Sequence, residues 1–362
     1  MSWYGIDAVD KAISRTRRAL FEPFEFWKWI KLAIIIFLLG SSSSNFRGSG
    51  NTYRMNPEEF RNTTTLGSDL LHEYLPHNII EKITSPSTII SEYGILIALI
   101  AALILFFLLL LYISNVMQFV FVESLVKNDV RFRAYSRKFL GKGFNLLLVN
   151  LALLIIFLIF LVIASLPLIS NIMKMSSDFS WPALMGGLIW FISVLIVFAL
   201  LMSVISSFIS LAIPVSIYRN AGILASLKLV FANFRKSWQQ VLVYWVTRFI
   251  LGLILGISML ILFLLVLVVS VIISLVIDGI LYFLFSAFTS DPINWILLVP
   301  FIIIEVLLFL GIILLFNVPF AVFMEYHLLS FLEGWFIGAD IPFFDAPATG
   351  TEINLSGSEP PL

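Results

Sequence analysis

The 362-residue sequence contains no cysteine. That excludes a disulfide framework, a thiolate nucleophile and any Cys-based zinc or iron–sulfur site. Histidine is almost missing too, with three residues in the chain. His72-Glu73 and His77 invite comparison with the H-E-x-x-H zinc motif, but the two histidines are five apart with Pro76 between them, and one helical face cannot present both. No metal site is expected. Charge is scarce: Asp, Glu, Lys and Arg make up 12% of residues, where soluble domains average about 25%. Net charge is zero, which leaves no basic field of the kind nucleic acid requires. No nucleophile–base pair, no paired carboxylate at one depth and no phosphate-cradling loop stands out, so neither an enzyme active site nor a cofactor is expected.

What fills the chain instead is apolar. Such residues make up 60% of it and mean hydropathy is +1.04. A hydrocarbon core of about 30 Å needs roughly 20 helical residues to cross it, with every backbone group paired internally on the way. Six stretches qualify: Phe26 to Gly40, Tyr93 to Val126, Phe144 to Leu168, Pro182 to Tyr218, Val241 to Phe285, and Ile293 to Phe323. The expected fold is all-α, a polytopic membrane bundle of about six transmembrane helices arranged as three hairpins. The first stretch is short, about 22 Å at 1.5 Å per residue. The fifth is overlong and reads as one tilted helix that breaks near Asp278 and Gly279 before an interfacial segment. The chain then divides into a basic segment over 1–25, a membrane domain over 26–323 with an external loop over 41–92, and an acidic tail over 324–362 expected to be mobile.

Charge is sorted by side. In a six-span arrangement one side collects seventeen of the 22 Lys and Arg residues. The other holds Arg47, Arg54, Arg61, Lys82 and Lys174 beside a run of acids from Glu58 to Glu92. Because basic residues near span ends stay on the cytoplasmic side, both termini are expected in the cytoplasm of a cell-membrane protein. Asp7, Asp10, Glu22 and Glu25 argue against reading the first stretch as a cleaved signal.

Basic collars precede the odd-numbered stretches, notably Arg131, Arg133, Arg137 and Lys138 before the third, and Arg235 and Lys236 before the fifth. Apolar positions at helical spacing accompany each: Ile6, Val9 and Ile13; Phe132, Tyr135 and Phe139; Ile223, Leu227, Val230, Phe231 and Phe234. This suggests a unit of in-plane amphipathic helix plus hairpin repeated three times. The collars serve either as grips on anionic lipid headgroups, worth about 1 kcal/mol per cation, or as topology signals alone. Membrane lipids are therefore the expected partners, and nucleic acid is not.

Polar groups inside a bilayer are costly and so become candidate sites. Glu305 lies about 15 Å past Trp295, near the midplane, and Arg248 enters from the opposite face within reach of pairing with it. Ser203 and Ser207 line one face of the fourth stretch, with Ser203 near the depth of Glu305. Such a cluster would serve a proton or cation pathway; the alternative is a protonated Glu305 bonded to a serine, or an ion pair that fixes register. Gly252 and Gly256 form a GxxxG, read either as packing against a neighbouring span or as the seam of a homo-oligomer. Asn115, Gln118 and Asn150 suit interhelical hydrogen bonds. Asn62-Thr63-Thr64 is a glycosylation sequon on the expected outer face. Ile341-Pro342-Phe343-Phe344 is either a docking peptide for a protein partner or a patch that folds back.

The opening Met1-Ser-Trp-Tyr-Gly-Ile-Asp-Ala-Val-Asp, the entry from Phe24 to Leu32 and the small-residue run after Leu39 resemble an uncharacterised family of archaeal multi-pass membrane proteins over about the first fifty residues. The segments Ala212-Ile213-Pro214-Val215 and Asn317-Val318-Pro319-Phe320 are also similar to bacterial six-span families of unknown function and to membrane domains attached to glycerophosphodiester phosphodiesterases. The first resemblance implies an archaeal cytoplasmic membrane and carries no activity, substrate or functional residue. A structural or lipid- or partner-interacting membrane protein is the leading expectation, a small-solute or ion transporter the second, and an enzyme the last.

Overall fold

A computed structural model describes residues 3–40, 86–173, 181–336, 339 and 341–345. The described residues form eight α-helices and no strand. They are α1 (Tyr4–Phe21), α2 (Phe26–Leu39), α3 (Pro86–Val126), α4 (Phe132–Met173), α5 (Trp181–Tyr218), α6 (Ile223–Lys236), α7 (Trp238–Ser286) and α8 (Ile293–Trp335). Helix is the form that pairs every backbone group inside the segment, which apolar surroundings demand. Pro167, Pro214, Pro300 and Pro319 all lie within helices.

Five helices, α3, α4, α5, α7 and α8, are long and apolar enough to cross a membrane. Each is longer than a crossing needs. The 49 residues of α7 extend about 74 Å, against a hydrocarbon core of about 30 Å. Burial divides the helices accordingly. One half of each displays apolar side chains outward: Leu99 of α3 is 63% exposed, Leu200 of α5 65% and Phe283 of α7 79%. The other half is packed in protein, from Ser114 to Val126 on α3, Ile209 to Ile217 on α5, and Asn317 to Trp335 on α8. These inner halves meet α1, α2 and α6 to form a base with one continuous apolar core.

In the base, α1 lies on α8 and α7 through the small residues Gly5, Ala8, Ala12 and Ala19, all buried. A Cβ on Gly5 would stand 3.0 Å from the Cα of Tyr244, so the two backbones approach as closely as glycine permits. Ile6 and Ile13, on the expected apolar face, are more than half exposed. Helix α2 runs antiparallel to the inner half of α3. Lys28 near its start donates to Asn128, and the carbonyl of Leu39 at its end accepts from Ser114 Oγ at 3.2 Å. Beyond Ser114, α3 continues outward to Leu96, about 27 Å farther at 1.5 Å per residue. The described α2 therefore accompanies only the base half of its neighbour.

Several sequence expectations need correction. Helix α7 is unbroken through Asp278 and Gly279; freed backbone groups there would find no water, and no proline forces a break. The second basic segment is no separate helix but the first turns of α4, whereas α1 and α6 stand apart. The stretch after 324 does not begin a tail. It continues α8, with Tyr326, His327, Leu329 and Phe331 all 0% exposed. Past it, Ile341 to Asp345 folds back, and the amide of Phe344 donates to the carbonyl of Val126 at 3.0 Å. Gly252 and Gly256 are exposed, and among the described residues a Cβ on either would meet nothing within 4 Å, so they form no contact between the described spans. The close glycine contact is Gly143, whose added Cβ would stand 2.9 Å from the Cα of Val116 where α4 crosses α3. Asn62, His72, His77 and most of the expected external loop lie outside the described residues, as does 346–362.

Candidate functional site

Two polar hubs hold the base together. The first is Arg15, 6% exposed, which follows Ala8 and Ala12 on the face of α1 that meets α8. Its Nη1 donates to Ser330 Oγ at 2.9 Å and its Nη2 to Glu333 Oε1 at 3.3 Å. Its Nε donates to both oxygens of Asp345, at 3.2 and 3.1 Å, and the guanidinium lies 3.6 Å over the Phe343 ring. A buried guanidinium is tolerable only when its donors are met in this way.

The second hub is Glu123, 1% exposed. It receives Lys127 Nζ at 2.7 Å, Lys138 Nζ at 2.8 Å and the Tyr218 hydroxyl at 3.3 Å, tying the ends of α3, α4 and α5. Its hydrogen bond raises Lys127 above the ordinary lysine value, ahead of the opposing effect of burial. Lys138, itself half exposed, is thus engaged with a buried carboxylate. Arg131 pairs with Asp129 at 2.6 Å, and Arg235 lies 5.1 Å over Phe231. Arg133, Arg137 and Lys236 are exposed and have no carboxylate partner among the described residues.

Arg248 does not meet Glu305. Its Nη1 donates to the Tyr244 hydroxyl at 2.8 Å and to the Met324 carbonyl at 3.3 Å. Met324 is about 28 Å along α8 from Glu305. Tyr244 stacks on His327 at 5.4 Å, and His327 Nε2 lies 3.1 Å from the Gly5 carbonyl. A carbonyl only accepts, so Nε2 carries the proton; the buried Nδ1 has no hydrogen-bond partner among the described residues.

Glu305 faces another acid. Asp278 of α7 lies within Coulombic reach of it, and ring contacts of Phe285 with Phe301 and Phe263 with Phe309 set the register of the two antiparallel helices on either side. Each acid has one buried carboxylate oxygen without a hydrogen-bond partner among the described residues. The sequence does contain a carboxylate pair at one depth, hidden because a break was expected at Asp278. The serine face belongs elsewhere: Ser203 is exposed, and Ser207 accepts from the Trp245 indole at 2.8 Å. Asn150 Nδ2 donates to Asn115 Oδ1 at 2.6 Å, the expected bond between α4 and α3.

A family of unknown function, DUF7544, matches residues 3–337. The chain belongs to this family. In this DUF7544 member the match takes in both hubs except Asp345 and the Phe343 ring, and it runs far beyond the opening fifty residues. No curated protein and no solved structure matches the chain.

Proposed function

We propose that this DUF7544 chain is a multi-pass protein of the cell membrane that crosses six times with both termini in the cytoplasm, and that it organises anionic lipid around its base rather than catalysing a reaction. One observation carries the reading. Every described lysine and arginine lies in the base, beside helix halves that expose leucine, isoleucine and phenylalanine. Cations at that boundary reach lipid headgroups and mark the cytoplasmic side. Arg133, Arg137 and Lys236 are the open members of the collar, while Lys138 is spent on Glu123.

The crossing number has its own support. Helix α1 packs against the inner end of α8, so the chain starts and returns on one side and crosses an even number of times. Helices α3, α4, α5, α7 and α8 supply five crossings, and the short apolar stretch from Phe26 to Gly40 that forms α2 is the sixth. The resemblance of the opening residues to archaeal multi-pass proteins agrees with a cell-membrane location.

The test uses the missing cysteines, since single-cysteine variants carry no background. Ser14→Cys should react with an impermeant maleimide only from the cytoplasmic face and Ser290→Cys only from outside; the reverse pattern rejects the orientation. Replacing Arg133, Arg137, Arg235 and Lys236 by Gln should lower retention of phosphatidylglycerol over phosphatidylcholine several-fold. Unchanged retention removes the lipid reading.

A second reading, ion transport, rests on Asp278 and Glu305, two acids facing each other where polar groups are costly. Under it, Glu305→Gln abolishes proton or cation flux in proteoliposomes. Flux equal to that of the unaltered chain rejects it.

A further inference from the structure

The ring of His327 is sealed between three helices. It is 0% exposed on α8, stacks on Tyr244 of α7 with the ring planes 11° apart, and donates through Nε2 to the Gly5 carbonyl of α1 at 3.1 Å. That hydrogen bond is made by the neutral ring with its proton on Nε2. It leaves the buried Nδ1 a bare acceptor, without a partner among the described residues.

The contact holds down the first turn of α1. Beside it the amide of Tyr4 donates to Gln240 Oε1 at 3.3 Å, and the Tyr4 ring lies so close to Gly334 that an added Cβ would stand 2.9 Å from it. Among the described residues no ion pair supports this turn; the pairs of α1 begin at Lys11 and Arg15.

A second proton on the ring would meet nothing favourable. Its Nδ1–H would be a buried, charged donor without an acceptor, a costly arrangement. The charges around it oppose the proton too. Arg248 of α7 donates to the hydroxyl of the same Tyr244 at 2.8 Å and acts on the ring at Coulombic range. Helix α1 turns the positive end of its dipole toward the site. Of the acids, Glu325 of α8 lies within Coulombic reach of Arg248, and Asp7 and Asp10 of α1 are exposed.

We infer that His327 is an acid-released latch: the neutral ring clamps the first turn of α1 onto α7 and α8, and protonation frees it. The inference goes beyond the lipid reading and does not depend on it. The docked state admits the neutral ring alone, while the released state opens the ring to water, where histidine titrates at about 6.5. The clamp is therefore complete above that value and is lost as pH falls below it, each further unit favouring release by up to about tenfold. Arg15 lies about 15 Å farther along α1, so the helix opens at its start and stays held by the first hub.

Hydrogen exchange of the full-length chain in detergent micelles, read by peptic mass spectrometry and corrected for the intrinsic effect of pH, follows the opening of residues 3–12. Their protection should fall about a hundredfold between pH 6.5 and 4.5, while that of residues 114–126 stays level and so excludes global unfolding. His327→Gln, whose amide still donates to the Gly5 carbonyl but does not titrate in this range, should keep residues 3–12 protected at both values. Glu333→Gln, which weakens the pairs of Lys11 and Arg15, should lower protection farther along α1 and leave the step at residues 3–12 in place. Level protection of residues 3–12 in the unaltered chain overturns the proposal without recourse to any variant. An equal fall in His327→Gln overturns it as well, because the step then belongs to the carboxylates.

Discussion

Arg15 in the first helix grips Asp345, 330 positions later, with Nε donating to the carboxylate at 3.1 and 3.2 Å. The contact joins α1 to the strap that follows α8, and the same guanidinium also binds Ser330 on α8.

Arg15→Ala should therefore destabilise the base by about 3 kcal/mol, because it strands a carboxylate and a serine that the guanidinium now satisfies. Arg15→Lys should recover only part of this, since an ammonium cannot span Ser330, Glu333 and Asp345 in one plane. Thermal unfolding in detergent measures both. Asp345→Asn should cost less and should hasten proteolytic cleavage of the strap; protection equal to that of the unaltered chain would show that the strap is held by Phe343 and Phe344 alone.

The Glu123 hub predicts an alkaline limb. Its hydrogen bond raises Lys127 above the ordinary value of 10.5 in the folded protein. A raised folded-state pKa means the contribution is complete below 10.5 and is lost as pH climbs through the higher value. Glu123→Gln should lower the melting temperature at neutral pH, and the gap from the unaltered chain should narrow once pH passes 10.5. A gap constant across that range would remove Lys127 from the account.

Two glycine positions predict opposite outcomes. Gly143→Leu should destabilise by about 2 kcal/mol or more through overpacking, because even a Cβ there would stand 2.4 Å from Val116 Cγ2 and 2.9 Å from its Cα. Gly252→Leu and Gly256→Leu should change the stability of the single chain by less than about 0.5 kcal/mol, since nothing lies within 4 Å of an added Cβ. Melting curves of the three variants decide the comparison. Chemical crosslinking of the Gly252 and Gly256 variants reports separately on a second copy.

Much of the fold was legible along the chain. Uninterrupted apolar length announces crossing helices, and all five long ones carry it. That Asn115 and Asn150 bond between helices was legible from amides among apolar neighbours, and the structure supplies the pairing of one with the other. Other features were not legible. Ile6 and Ile13 mark an apolar stripe by spacing, but that stripe does not reveal that α1 meets α7 and α8 through Gly5, Ala8 and Ala12, where the backbone approaches Tyr244 closely. Spacing reports that a face is apolar without saying whether protein or lipid covers it. The pairing of Glu305 went to Arg248 on depth alone, and depth measured from span ends carries errors of several turns when helices are twice the needed length.

The sequence by itself determined the class and the sorting of charge: a helical chain, apolar enough for a bilayer, with the bases among its described residues gathered at one end. Those follow from composition and from backbone hydrogen bonds that must close locally in lipid, and neither requires knowing a neighbour. Only the tertiary structure decided which charges are spent and which remain open. Lys138 closes on Glu123, Arg15 reaches Asp345, Asp278 faces Glu305, and Arg133 and Arg137 are left exposed, because each pairing depends on helix register across contacts that no local pattern encodes.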